Sequence, residues 1–334
     1  MVKKTIIGAA ILILILIAGF GYFNYEVYYG HGGAEGNMNV DIVKGDGVEK
    51  VALKLKDKNL IPGKIYLYYY LKIKKLSGKI LPGVYELNGQ MTIPEIATII
   101  TEGKISFVRV TFPEGWDAKK MAERLSANGF NGDEFLKLIE KPEQFRERYA
   151  FLADPSIKTL EGYLFPDTYF LKKDTEAYKI ISKMLDNFNG KLTADLRNEI
   201  KNQEKSIRDE IIMASVIERE VNSEGDRAIV SGIFWSRIKI GQPLQSCATL
   251  AYILGVNKKQ YSLEDTRINS PFNTYLNKGL PPAPIANPGL AAIKAAIYPK
   301  NSDYNYFLSD PDTGQTIFSK NLEEHNANKA KYGL

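Results

Sequence analysis

The stretch DEIIMASVIEREVN, Asp209 to Asn222, carries Glu218, Arg219 and Glu220 within a run that is apolar on nearly every helical face. A helix of that kind is buried. A buried carboxylate is costly unless it is paired, bound, or held neutral for chemistry. At helical spacing Glu218 shares a stripe with Ile211, Ala214, Ser215 and Val221, whereas Glu220 lies about 200° around the axis, over Met213, Val216 and Ile217. The two carboxylates therefore do not easily serve one site. Two readings follow. In the first, Arg219 or a distant lysine neutralises both as structural ion pairs. In the second, one of them is a general acid: desolvation raises a buried carboxyl's pKa, so it keeps a proton near neutral pH and can hand it to a leaving oxygen.

The elements that would position this helix span a chain of 334 residues, 44% hydrophobic and 25% charged, which is globular and long enough for about two domains beside an anchor. The net charge of +5 is mild and spread out, and no motif points to nucleic acid. With one cysteine, Cys247, no intrachain disulfide forms. That cysteine and the two histidines, His31 and His325, make no cluster of soft metal ligands. No cofactor is expected, with only an all-carboxylate metal site left open.

The N-terminal MVKK is followed by Thr5 to Phe23 without a single charge. As a helix this run spans roughly 28 Å, enough to cross a bilayer. Lys3 and Lys4 precede it and no basic cluster directly follows, which places residues 1–4 in the cytoplasm and the bulk of the chain outside. No small-residue cleavage site closes the run, so an uncleaved anchor is expected over residues 5–23. A Gly-rich tether follows over residues 24–37.

From there a strand, a turn and a helix recur. Val51-Ala52, Ile96-Ala97 and Met121-Ala122 each place an alanine three residues before an aliphatic side chain: Leu55, Ile100 and Leu125. Each follows a β-prone run, at residues 39–43, 83–87 and 106–112. Residues 38–108, with a helix at Lys64 to Lys75, read as a small α+β module. Its lysines (50, 54, 56, 58, 72, 74, 75 and 79) read as a solvated surface.

A larger mixed α+β domain is expected over residues 109–334, so the fold class is α+β. Helices are expected at Ala118–Asn128, Gly132–Ile139, Pro142–Tyr149, Glu176–Asn189 and Gly225–Ile240. A polar segment runs to Arg208. The aromatic, Pro- and Gly-broken stretch Pro155–Thr168 offers Glu161, Tyr163 and Asp167, with Tyr169 just beyond, as a groove lining; packing is the competing reading. Leu244–Thr249 brings out Gln245, Ser246 and Thr249. Ser270–Gly289 combines five prolines with Phe272, Tyr275, Leu276, Leu280 and Ile285, the composition of a fixed loop. The chain closes with a helix over Gly289–Ile297, a hairpin turning at Pro311–Gly314, and a last helix bearing His325 and Asn326, where a lone His is by itself more often structural than a ligand contact.

Five blocks in order, EGYLFPDTY (161–169), ASVIERE (214–220), SRIKIGQPLQS (236–246), SPFNTYLNKGLPPAPIANPG (270–289) and EHN (324–326), resemble the YceG-like family of endolytic murein transglycosylases. The resemblance covers about 290 residues, and residues 38–108 look like that family's LysM-like module. It implies cleavage of nascent peptidoglycan glycan strands outside the cytoplasmic membrane, possible association with peptidoglycan synthases, and a catalytic glutamate at Glu218. Gln245, Asn273, Tyr275 and His325 match the pattern. Cys247, where members often carry Asp, and Gln315, where many carry His, depart from it. A transglycosylase needs no second carboxylate to activate water, because the sugar's 6-hydroxyl attacks the anomeric carbon. A hydrolase would need one, with Glu161 or Asp167 as candidates. A non-catalytic, membrane-anchored glycan-binding scaffold is the other alternative.

Overall fold

The computed structural model describes residues 2–29, 32–34, 36–103, 107–221, 223–310 and 313–332, and its elements are mixed α and β. His31 and other parts of the Gly30–Gly36 tether, Ser106, Asn222, and residues 311 and 312 of the hairpin turn lie outside the described residues. The chain opens with α1 (Val2–Tyr28). Among the described residues it is the one helix long and apolar enough to cross a membrane, with a mean hydropathy of 1.6 over Ile11–Tyr28. Every side chain from Ile11 to Ile17 is more than half exposed, an apolar surface that water solvates poorly.

The chain divides into two compact units, Met1–Arg109 with Tyr169–Lys173, and Val110–Thr168 with Asp174–Leu334. In the first, β1 (Asn37–Ile42) precedes α2 (Val48–Asp57) and α3 (Lys64–Ile73), and β2 (Gly83–Asn88) precedes α4 (Ile93–Glu102). β1 and β2 pair antiparallel with Val40 opposite Tyr85. Strand alternation buries Val40, Ile42, Tyr85 and Leu87 against the helices. The recurring apolar-Ala pairs do the work their spacing predicts: Val51, Ala52, Leu55, Ile96, Ala97 and Ile100 are all core. Thr92 and Glu95 close a capping box at the start of α4, beside Pro94. The end of α1 packs here too, with Val27 buried and the Phe23 ring 5.5 Å from that of Tyr66.

A two-stranded sheet of β3 (Val108–Thr111) and, later in the chain, Thr168–Leu171 follows. Between them come α5 (Ala118–Ala127) and α6 (Gly132–Ile139), capped by Asp117 and Asn131. Thr168–Leu171 is β4, a strand that the reading of this region as loop stopped short of. Pro142–Tyr149 also differs from expectation: only a 3₁₀ turn forms, at Pro142–Phe145, with a second at Ala150–Leu152. After α7 (Ala177–Lys191), the polar segment contains a further helix, α8 (Ala194–Asn202), where Thr193 accepts from the amide of Leu196.

The apolar helix is α9 (Ile207–Glu220), started by Ser206, whose side chain accepts from the amide of Asp209. Every residue from Glu210 to Glu218 is buried, as an all-round apolar helix requires. Around it stand α10 (Glu224–Lys239), α11 (Cys247–Leu254) and α12 (Leu290–Ile297). The alanines of α12 let its backbone approach α9 closely. The hairpin of β5 (Tyr306–Ser309) and β6 (Thr316–Ser319), with Phe307 opposite Phe318, leads to the exposed α13 (Leu322–Tyr332).

Candidate active site

Glu218 sits in the last turn of α9 and is only 8% exposed. Both of its carboxylate oxygens accept hydrogen bonds: Oε1 from Arg227 Nη2 at 2.8 Å, and Oε2 from the amide of Gly289 at 2.9 Å. The expected partner, Arg219, is turned away to Asn257 Oδ1. Its place is taken by Arg227 on α10, itself held by the carbonyl of Val221. Burial pushes the Glu218 carboxyl upward, and the negative charge of Glu114 adds to the rise; the Gly289 amide and Arg227 oppose it without cancelling it. The group thus holds a proton above the usual carboxylate range while its ionised form still has two donors waiting. That combination suits a group that gives up a proton and later recovers one.

Glu220 faces another way, as helical geometry dictates. It accepts from Ser246 Oγ in a short hydrogen bond, and from the amide of Ala248 at 3.1 Å.

The long loop 270–289 delivers the Gly289 amide, and Asn287 fixes it. Asn287 Oδ1 accepts from the amides of Gly162 and Leu164 at 2.8 and 3.0 Å. Its Nδ2 donates to Glu161 Oε1 at 2.6 Å and to the carbonyl of Trp116 at 3.1 Å. Its carbonyl accepts from the amide of Gly115. Three segments, 114–118, 161–164 and 284–289, are therefore tied through one buried side chain. Ser215 on α9 adds a fourth tie, accepting from the amide of Ile285. Gly115 has φ +76°, a left-handed conformation that favours glycine, and a Cβ there would stand 3.4 Å from Glu218 Cγ.

Glu161 does not line a groove. It is 6% exposed, accepts from the Ala118 amide as well as from Asn287, and burial pushes its carboxyl up to about 8. Tyr163 is 1% exposed and packs its ring against Phe151 and Phe188, so this part of the aromatic stretch is core. Asp167 is exposed and bonded to Asn187 Nδ2 and to the Thr168 amide. Asn273 is fully buried, donating to the carbonyls of Thr266 and Ile268 and accepting from the Tyr275 amide; it shapes the loop.

Gln245 is exposed and bonds through its main chain to Thr274. Ser246 and Thr249, expected to project outward, are buried against Thr274. Tyr275 Oη lies 3.2 Å from Cys247 Sγ. Gln245 and Tyr275 thus gather at the Glu220 side of α9. His325 stacks on Tyr306 at 5.2 Å, with Asn326 exposed beside it on α13. Sequence reasoning missed Arg227, Gly289, Asn287 and Glu114. The proline- and glycine-flanked FPEGW (112–116) and IANPG (285–289) carried the local signal for the last three.

Fold and site together describe an α+β enzyme-like domain built around one hydrogen-bonded acid on a buried helix. The YceG-like family matches residues 40–331, and the chain belongs to that family. A relative from Bacillus subtilis (strain 168), named endolytic murein transglycosylase, is 33% identical over 309 residues, covering 88% of this chain and 84% of the relative. A protein of the same name from Streptococcus pneumoniae serotype 2 (strain D39 / NCTC 7466) is 26% identical over 363 residues; the match covers 99% of this chain and 65% of that one. A crystal structure of a YceG-like protein from Listeria monocytogenes superposes with a TM-score of 0.64 at 33% identity, covering 87% of this chain and 98% of that one.

Proposed function

We propose that this chain is a membrane-anchored, endolytic lytic transglycosylase that cleaves peptidoglycan glycan strands between MurNAc and GlcNAc and leaves 1,6-anhydro-MurNAc ends. The names of its relatives support the substrate and the reaction class. The observation that carries the reading to a residue is Glu218, buried in an apolar helix, its pKa raised, with a donor on each oxygen.

In this mechanism Glu218 gives its proton to the glycosidic oxygen. The bond from that oxygen to MurNAc C1 breaks, and the oxygen leaves as the GlcNAc 4-hydroxyl. The MurNAc 6-oxygen then bonds to C1, and its proton passes to the Glu218 carboxylate, which Arg227 and the Gly289 amide hold in place. Water takes no part. Glu161 and Asp167 are engaged elsewhere, and neither is needed as a second carboxylate. In this reading exposed Gln245 and Asn326 and half-buried Tyr275 and His325 touch glycan on the side of Glu220, away from the bond that is cut, while Glu161, Tyr163 and Asn273 act through the loops they hold.

In the same reading α1 anchors the chain in the cytoplasmic membrane with its N-terminus inside, residues 38–108 form a LysM-like module, and residues 109–334 form the catalytic domain, working beside peptidoglycan synthases. Glu218→Gln tests the central residue. It keeps size but removes the transferable proton, and it turns one of two acceptor oxygens into an NH2 that faces a donor. Cleavage of purified strands should therefore fall by at least ~10²-fold, in a protein that melts cooperatively but at a lower temperature. Near wild-type cleavage would move the role elsewhere.

A further inference from the structure

The loop before α5 places a second carboxylate beside the first. Glu114 is exposed, and its carboxylate rests against the α-carbon of Gly289: a Cβ on that glycine would stand 2.6 Å from Glu114 Oε2 and nearer still to Oε1. The same Gly289 donates its amide to Glu218 Oε2 at 2.9 Å. With the ~2.5 Å between a residue's nitrogen and its Cβ position, these links cap the distance between the two carboxyl groups at about 8 Å. That lies within the ~5–9.5 Å over which paired carboxylates act on one glycosidic bond. A Cβ on the next residue, Gly115, would stand 3.4 Å from Glu218 Cγ, so residues 114–115 lie beside the acid.

We propose that Glu114 is a second catalytic carboxylate, which faces the anomeric carbon and stabilises the positive charge that develops there as the glycosidic bond breaks. The proposal rests on the transglycosylase reading and deepens it. Glu114 forms no covalent bond and moves no proton; its charge matters only while C1 is cationic. Gly289 explains the arrangement: any side chain there would displace Glu114, and its amide is the donor to Glu218.

Glu114 has a second effect. The charged groups around Glu218 are Glu114 itself, Arg227 on α10, and Arg219 one residue along α9, whose guanidinium points to Asn257. Of the two charged groups that act on Glu218, Arg227 favours its ionised form, as the Gly289 amide does, and Glu114 its protonated form. Neutralising Glu114 should therefore lower the pH at which Glu218 loses its proton.

The test is full-length protein in detergent on purified, uncrosslinked glycan strands, comparing Glu114→Gln and Glu114→Asp with wild type. The glutamine variant should lose at least ~10²-fold in kcat, the size typical of removing one preorganised electrostatic contact, with KM little changed. The alkaline limb of its kcat/KM profile should move to lower pH, and Glu114→Asp should recover part of the rate. A Glu114→Gln rate within about threefold of wild type, with an unmoved profile, overturns the proposal. Absence of cleavage by wild type would instead overturn the transglycosylase reading beneath it.

Discussion

Glu218 is held between opposing effects: desolvation and Glu114 favour its protonated form, while Arg227 and the Gly289 amide favour its ionised form. The same helix begins with another buried carboxyl, Glu210, 2.8 Å from Lys205 and pushed by burial up to about 7. Glu161 reaches about 8, and Glu220 is also raised. For each, the folded state binds a proton more tightly than the unfolded chain, whose glutamates titrate near 4.3. From about pH 4.5 up to about 7 for Glu210 and about 8 for Glu161 the unfolded state therefore carries fewer protons, and stability falls as pH rises, by up to ~1.4 kcal/mol per pH unit for each of these two, with Glu218 and Glu220 acting in the same direction. His325 acts oppositely below about 6.5, because burial lowers it from that value, but it is one group against several. Thermal unfolding should accordingly give a higher Tm at pH 5 than at pH 8, and Glu161→Gln should shrink the difference. A Tm that climbs across this window would contradict the assignment.

At the scale of elements, the site depends on a loop without regular structure, fastened to a helix. Asn287→Ala would strip the acceptor from the buried amides of Gly162 and Leu164 and one of the donors from Glu161, while the Trp116 carbonyl keeps the main-chain amide of residue 287. At ~1–3 kcal/mol for each buried group left unpaired, unfolding in urea should show a loss of more than ~3 kcal/mol, with a parallel loss of cleavage. A loss below ~1 kcal/mol would mean that the three segments hold without it. The sequence made the burial of α9 legible, because its apolar residues occupy all faces, and made the divergence of Glu218 and Glu220 legible, because helical spacing is local. It could not reveal the Gly289 amide, which bonds Glu218 across 71 residues, or the choice of Arg227 over Arg219, which depends on how α10 folds back on α9. β4 and α8 escaped notice for a related reason: β4 is short and sits in an aromatic stretch, and α8 is mostly polar, so neither carries a strong periodic signal. Glu161 and Tyr163 looked like groove residues because polar and aromatic side chains in a broken loop serve packing and binding equally well.

For the molecule as a whole, α1 supplies an apolar surface from Ile11 onward that no other described part of the chain covers, and its end packs into the first unit. If it spans the membrane with Lys3 and Lys4 inside, protease added to spheroplasts should degrade everything beyond about Tyr29 and release no smaller mature form beforehand. Protection of the C-terminal unit would reverse the topology. The two-unit division and the recurring apolar-Ala helices concern scaffold alone; what the chain does turns on how the bond is cut. The most direct measurement is digestion of uncrosslinked glycan strands in ¹⁸O-water, with the fragments weighed. With Glu218 acting as acid and then base toward the 6-hydroxyl, the new ends are anhydro sugars, one water lighter and free of label, in an early spread of medium-length fragments. Labelled reducing ends as the main product would contradict the account and would make Glu114, within about 8 Å of Glu218, the candidate for the carboxylate that activates water.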